Sequence, residues 1–373
     1  MKTVIKKLKI NRLVFYISIL NKKNYKLNDS IKAYNELNKV CFNNNCSCYC
    51  ERLISNKTYD LGIVIPAYNV QKYISKCLDS IINQKTSYKI QIIVIDDGSS
   101  DNTLNVLLKY KDKIYKDKID IIHHDNCGIA NSRNKGLDKI DSKYIMFIDS
   151  DDYLEDDSIQ KLLDIGFNGN FDIVEGGYNE VDKNNNVTRT VNREESNDKH
   201  NLLGFPCVKI IKSELFNNVK FPNYLFEDSI IWQIIYGKAK KIKICPFKVY
   251  NYRIYSNNQS LHHKLTNNKM IETLYITLEL YKDRKKYNIK TDQEYYEYIL
   301  LMGTLIYARI RYLDINIIKN VFSIYSDFVI KEFTNYKTNN KSYKYLEKSL
   351  KNKDFDLYLK YCKYYMLLLN KKI

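Results

Sequence analysis

Two carboxylates one residue apart, Asp149 and Asp151 in Asp149-Ser150-Asp151-Asp152, follow the apolar run Tyr144-Ile145-Met146-Phe147-Ile148. On an extended chain such residues point the same way, so the pair faces a common ligand. Hard oxygen donors of this kind suit a Mg²⁺ or Mn²⁺ ion and the diphosphate it bridges. The bland reading is a solvated acidic turn, because Asp and Ser are favoured turn residues.

The elements around the quartet argue for the ligand. Gln91-Ile92-Ile93-Val94-Ile95 is a second buried-strand pattern that runs into Asp96-Asp97-Gly98-Ser99-Ser100-Asp101. Leu61-Gly62-Ile63-Val64-Ile65 is a third, ending at Pro66-Ala67-Tyr68-Asn69; Val70, Ile74, Cys77, Leu78, Ile81 and Ile82 then recur at helical spacing. In sheets wound strand–loop–helix, ligands sit at the carboxyl ends of the strands. All three polar clusters fall there.

In order and spacing, Ile65-Pro66-Ala67-Tyr68-Asn69, Ile95 to Asp101, Asn126-Cys127-Gly128 with Ser132-Arg133-Asn134-Lys135-Gly136, and Phe147 to Asp152 resemble the nucleotide-binding half of family 2 glycosyltransferases. A looser likeness runs through Phe226-Glu227-Asp228 to about Arg253. The resemblance implies an α/β chain with a GT-A type, Rossmann-like mixed sheet flanked by helices, and an inverting transfer from a nucleotide sugar. It puts Pro66, Tyr68, Asn69 and Asp97 around the nucleotide, with Arg133 beside it. Asp149 falls near the ribose and the metal, and Asp151 becomes the direct ligand of Mn²⁺ or Mg²⁺. Asp228 is the implied general base and Glu227 the second choice; plain capping of the apolar helix that follows (Ile231, Trp232, Ile234, Ile235) is the competing reading. Arg253, His262 and His263 fall where related enzymes have a segment that closes over the diphosphate. Arg253 is then a phosphate ligand, and each histidine reads either as completing the metal site or as part of a solvated loop.

His123 and His124 precede the Asn-Cys-Gly loop, but adjacent side chains on a strand point oppositely, so the two are read as structural rather than as a metal pair. Cys41, Cys46, Cys48 and Cys50 sit close together in an Asn-rich stretch. Their spacing is not the paired form of zinc sites, and free thiols compete with a structural zinc as the explanation. Nine cysteines without a secretory signal imply a reducing compartment.

At 373 residues the chain exceeds one ordinary domain. The expected division is a basic, helical, Cys-containing extension over 1–58 and a GT-A domain over 59–264, with 59–157 its nucleotide half and 158–264 its acceptor half. A helical region over 265–373 follows. Helical periodicity marks Met270 to Tyr281, Tyr295 to Leu313, Ile317 to Phe333 and Phe355 to Leu369, while Asn184-Asn185-Asn186 marks a polar loop. Lys and Arg number 60 against 43 Asp and Glu, a net +17, which admits nucleic acid, anionic lipid or phosphorylated substrates. No nucleic-acid-binding signature accompanies that charge, so nucleic acid is not the expected partner.

No stretch approaches the ~20 apolar residues that span a bilayer. The expected setting is the cytoplasm, with peripheral contact at the inner face of the cell membrane through the basic N-terminal helix and the Tyr361 to Leu369 stretch; burial of both in a helical subdomain is the alternative. The expected partners are a UDP-sugar donor and a glycan or lipid-linked acceptor, in cell-surface polysaccharide assembly. A nucleotide-sugar-binding module without turnover and a basic nucleic-acid-binding protein are the rivals.

Overall fold

The apolar runs of the sequence become neighbouring strands in the computed structural model, which describes residues 15–55, 57–113, 119–254 and 266–369. β1 (Tyr59–Ala67) lies between β2 (Ile90–Asp96) and β4 (Ser142–Phe147), parallel to both, and β2 pairs in parallel with β3 (Ile119–His123). Helices cover both faces of such a sheet, so its strands read as unbroken apolar runs; Leu61, Ile63, Val64 and Ile65 are all fully buried.

The full order is β3-β2-β1-β4-β8-β6-β9-β5, in which β5 is Tyr153–Leu154, β6 Ile173–Val181, β8 Lys209–Lys212 and β9 Ile242–Arg253; β7 (Val187–Val191) hangs on β6. β8 runs antiparallel to β4 and β6, and β6 runs parallel to β9. The chain adds strands on one side of β1 and then crosses to the other to lay down β4. That makes the carboxyl ends of β1 and β4 a topological switch point, where a crevice opens. Register aligns the tips there: Ala67 pairs with Asp96 and Asp96 with His123.

The covering helices follow the sequence pattern. Ile74–Ile82 buries Ile74, Cys77, Leu78 and Ile81, the i, i+3, i+4, i+7 face of an amphipathic helix. Ile129–Lys139 lies so close to β1 that a Cβ on Gly136 would come 2.3 Å from a Val64 methyl, which explains glycine in the Ser-Arg-Asn-Lys-Gly run. The polar Asn184 to Asn186 loop is a hairpin between β6 and β7. In it, Asp182 accepts from the backbone N–H groups of Asn184 and Asn186 at 2.8 and 2.9 Å.

The chain divides into two units. The sheet belongs to residues 46–262 with 280–289, and the other unit comprises 1–45, 263–279 and 290–373. Residues 46–55 strap the sheet unit. The Cys48 N–H and Ser47 hydroxyl donate to Asp283, while Arg52 pairs with Asp138 at 2.6 Å and donates to the Val219 carbonyl at 2.7 Å. Cys41, Cys46, Cys48 and Cys50 do not form a metal-binding group among the described residues.

The second unit is helical, with Ser30–Val40, Gln293–Ile310, Ile315–Glu332, Lys344–Lys351 and Phe355–Leu369. Its core uses tyrosine as a hydrophobe with a polar handle. Tyr325 and Tyr358 bury their rings and donate their hydroxyls to the carbonyls of Ile299 and Gly303, at 2.5 and 2.8 Å. Phe15, in the helical turn over 15–20, stacks on Tyr364 at 4.9 Å and meets the edge of Tyr345 at 5.2 Å. No helix among the described residues is long and apolar enough to cross a membrane.

Candidate active site

The loops after β1 and β2 are stitched to each other before any ligand is considered. Asn69 takes the left-handed backbone (φ 52°), and its side-chain oxygen accepts from the Ser100 N–H at 2.8 Å. The backbone N–H groups of Asn69 and Val70 donate to the hydroxyls of Ser99 and Thr103, at 3.0 and 2.8 Å. Asn69 therefore shapes the loop that carries Pro66, which is buried, and Tyr68, which is exposed. Asp101 caps the next helix by accepting from the Thr103 N–H at 2.9 Å.

Asp97 is only 4% exposed, and its two oxygens accept from the N–H groups of Cys127 and Gly128, at 2.8 and 2.9 Å. The aspartate thus ties the β2 tip to the loop that opens helix Ile129–Lys139. Gly98 makes this junction possible. Its φ is +70°, and a Cβ there would lie 2.7 Å from the Asn126 nitrogen.

Arg133 is the organising residue, through partners that its place in the sequence did not show. Arg133 is 3% exposed, and its guanidinium forks between Asp149 at the β4 tip (3.0 Å) and Glu227 (2.5 Å), with the Phe221 ring 5.4 Å away. Burial works against its charge, but Asp149 and Glu227 outweigh that and raise its pKa above the ordinary arginine value. Burial likewise pushes the Glu227 carboxyl up to about 7, with the Arg133 charge opposing. Asn134 adds a second staple. Its amide donates to the Phe221 carbonyl and its oxygen accepts from the Phe221 N–H, both at 2.8 Å. The Ser-Arg-Asn-Lys-Gly run thereby fixes the β4 tip and the segment leading to Glu227-Asp228 in one frame.

Removing one partner from a buried ion pair strands the other charge, at a cost of about 3–5 kcal/mol. Arg133→Met should therefore lower the unfolding free energy from urea titration by an amount in that range, and with it the midpoint, and Arg133→Lys should rescue it only in part, since an ammonium lacks the planar fork. An unchanged midpoint in Arg133→Met would remove the bridge from the account.

Asp149, Asp151 and Asp152 separate by environment. Asp149 is a third exposed on its side chain and keeps oxygen capacity beyond Arg133, while Asp151 is half-buried. Asp152 is buried and turned inward, accepting from the Tyr250 hydroxyl at 2.8 Å and the Arg253 N–H at 2.7 Å. Burial, then the charges of Asp151 and Asp149, push its carboxyl well up. Negative charge is crowded at this tip, where Asp149 and Asp151 are both only partly buried.

Arg253 is buried at the end of β9. Its Nε donates to the Asp151 carbonyl at 2.7 Å and its Nη1 to Asn185 at 2.8 Å, with the Tyr73 ring 4.8 Å away. This holds the loop that presents Asp151. His262 and His263 lie outside the described residues. Asp228 is half-buried and opens a helical segment that passes through a π-helical turn at Ile231–Ile235. Such turns recur beside functional sites.

The sequence reading missed the cluster behind this frame. Lys209 is fully buried, its ammonium 2.7 Å from Glu175 and 2.6 Å from the Leu203 carbonyl, and Arg193 also pairs with Glu175 at 3.0 Å. His124 lies past the end of β3 and turns toward Asp97 and Cys127, with its Nδ1 3.5 Å from Asp97.

The model of a family described as glycosyl transferase family 2 matches residues 62–233. An uncharacterized glycosyltransferase of Haemophilus influenzae is 32% identical over 173 residues, 45% of this chain and 68% of that protein. The minor teichoic acid biosynthesis protein GgaB of Bacillus subtilis is 28% identical over 214 residues, 54% of this chain but only 24% of GgaB, so the chain spans about a quarter of that relative. The crystal structure of S. aureus TarS 1–349 in complex with UDP-GlcNAc superposes with a TM-score of 0.54 at 18% identity, over 83% of this chain and 92% of that one, which makes the fold GT-A type. With the match to the family's model and the Haemophilus relative together, the chain belongs to glycosyl transferase family 2.

Proposed function

We propose that the chain is a metal-dependent, inverting glycosyltransferase that moves a sugar from a UDP-sugar to a glycan or lipid-linked acceptor, in assembly of a bacterial cell-surface polysaccharide. One observation carries the reading: a buried arginine ties the acidic β4 tip, where a diphosphate would sit, to the Glu227-Asp228 turn, where an acceptor would arrive. The names of GgaB and of TarS bound to UDP-GlcNAc support the donor and the setting.

In this reading Pro66, Tyr68 and Asp97 receive the nucleobase, and Asn69 holds their loops in shape. Asp149 and Asp151 would hold Mn²⁺ or Mg²⁺, and when bound that ion neutralises charge growing on the diphosphate as the glycosidic bond breaks. Asp228 takes the proton from the acceptor hydroxyl as that oxygen attacks the anomeric carbon opposite the diphosphate, giving inversion in one displacement. Glu227, committed to Arg133, positions rather than abstracts. Arg253 supports the loop of Asp151.

Calorimetric titration tests the donor class. UDP should bind in Mn²⁺ buffer more tightly than ADP or GDP, and Asp97→Ala should weaken it. Equal affinity for all three, or a steep salt-sensitive affinity for DNA or RNA in their place, would contradict the reading.

The proposed workplace is the cytoplasmic face of the membrane. Ile17 and Leu20 of the N-terminal helical turn are 58% and 84% exposed, beside a strongly basic leader in sequence. Each surface cation adds up to ~1 kcal/mol of attraction to anionic lipid. Co-sedimentation should show binding to anionic vesicles that fades with salt and little binding to neutral ones; absence of binding at low salt would leave these residues without a membrane role.

A further inference from the structure

Outside the Asp149–Asp151 tip, one other group of side chains among the described residues has the composition of a metal site, and no step of the proposed transfer uses it as one. Asp97, His124 and Cys127 each offer a ligand atom within 4.8 Å of the other two. Tetrahedral zinc with N, O and S ligands has ligand-to-ligand edges of about 3.3–3.7 Å, from its bond lengths. His124 Nδ1 stands 3.5 Å from Asp97 Oδ1 and 3.4 Å from Cys127 Sγ, so one ring nitrogen already meets both edges.

The surroundings are those of a prepared site. In the metal-free protein His124 Nδ1 donates to the Asp125 carbonyl at 2.6 Å, and a bound ion takes the place of that proton. Asp97 is fixed by the Cys127 and Gly128 N–H groups and retains further lone pairs. Asp97 is buried and the other two are half-buried.

We propose that Asp97, His124 and Cys127 bind one borderline-soft divalent cation of the Zn²⁺ class, a site separate in place and in ligand chemistry from the hard-ion site of Asp149 and Asp151. Thiolate and imidazole select such ions over Mg²⁺ or Mn²⁺. Resting on the donor reading above, occupancy also withdraws Asp97 from the nucleobase, so the cation competes with the nucleotide and acts as an inhibitor.

The test uses full-length, chelator-stripped protein and Co²⁺ alone as the first probe. One equivalent should give the near-ultraviolet thiolate-to-cobalt charge-transfer band, displaced by Zn²⁺. The band should be lost in Cys127→Ser and weakened in His124→Ala, and it should persist in Cys46→Ser and Cys50→Ser. No band in the wild type, or an equal band in Cys127→Ser, overturns the site. The second probe is UDP affinity in Mg²⁺ buffer. Zn²⁺ should weaken it tenfold or more in the wild type and leave Cys127→Ser unaffected. A cobalt band that behaves as stated, with UDP affinity indifferent to Zn²⁺, overturns the competition and keeps the metal site; failure of UDP to bind without Zn²⁺ overturns the donor reading instead.

Discussion

Asp151→Ala should abolish transfer while the protein keeps its fold. The loop that presents this carboxylate is held by groups the substitution leaves in place: Arg253 donates to the Asp151 backbone carbonyl, and Asp152 accepts from Tyr250 and from the Arg253 N–H. What is lost is an anchor for the ion that stabilises the leaving diphosphate. Stabilisation of that kind is worth several kcal/mol, and about 4 kcal/mol corresponds to about 10³-fold in rate. Asp149→Ala should also cost much activity, and in addition it strands part of the Arg133 charge, so its thermal midpoint should fall where that of Asp151→Ala does not. Undiminished turnover by Asp151→Ala in chelator-treated buffer would remove the metal assignment.

Asp228→Asn should lower turnover by about 10²-fold or more with donor affinity little changed. The substitution separates two roles of one residue. Asn caps a helix nearly as well as Asp, so a residue that only opens the following helix would tolerate it. Asn cannot accept the acceptor's proton. The neighbouring carboxylate is a poor substitute, because Glu227 is buried and engaged by Arg133 at 2.5 Å. Rate and donor affinity measured on the variant decide the matter, and near-normal turnover would move the base to another group.

The strands that build the site were legible because each is buried on both faces and therefore reads as a continuous apolar run. The expected runs at 61–65, 91–95 and 144–148 sit within or at the ends of Tyr59–Ala67, Ile90–Asp96 and Ser142–Phe147. Helical periodicity likewise led to Gln293–Ile310, Ile315–Glu332 and Phe355–Leu369, but not to Lys344–Lys351, a short segment crowded with lysine. Partnerships across the chain were not legible. Arg133 and Glu227 are 94 positions apart, and no local pattern announces that one guanidinium spans two halves of a domain. Arg253 reads as a phosphate ligand by position, and its bonds to the Asp151 carbonyl and the Asn185 side chain were no more legible. His123 and His124 go to different partners: β3 stops at His123, which bonds Asp96, while His124 turns toward Asp97.

The most direct measurement is nucleoside diphosphate release from a panel of nucleotide sugars by the purified protein, with and without Mn²⁺ and with a glycan or lipid-linked acceptor present. The account predicts release of UDP from at least one UDP-sugar, dependent on the metal and accelerated by acceptor. Absence of release from every UDP-sugar, or release that is unchanged after the metal is chelated, would contradict it.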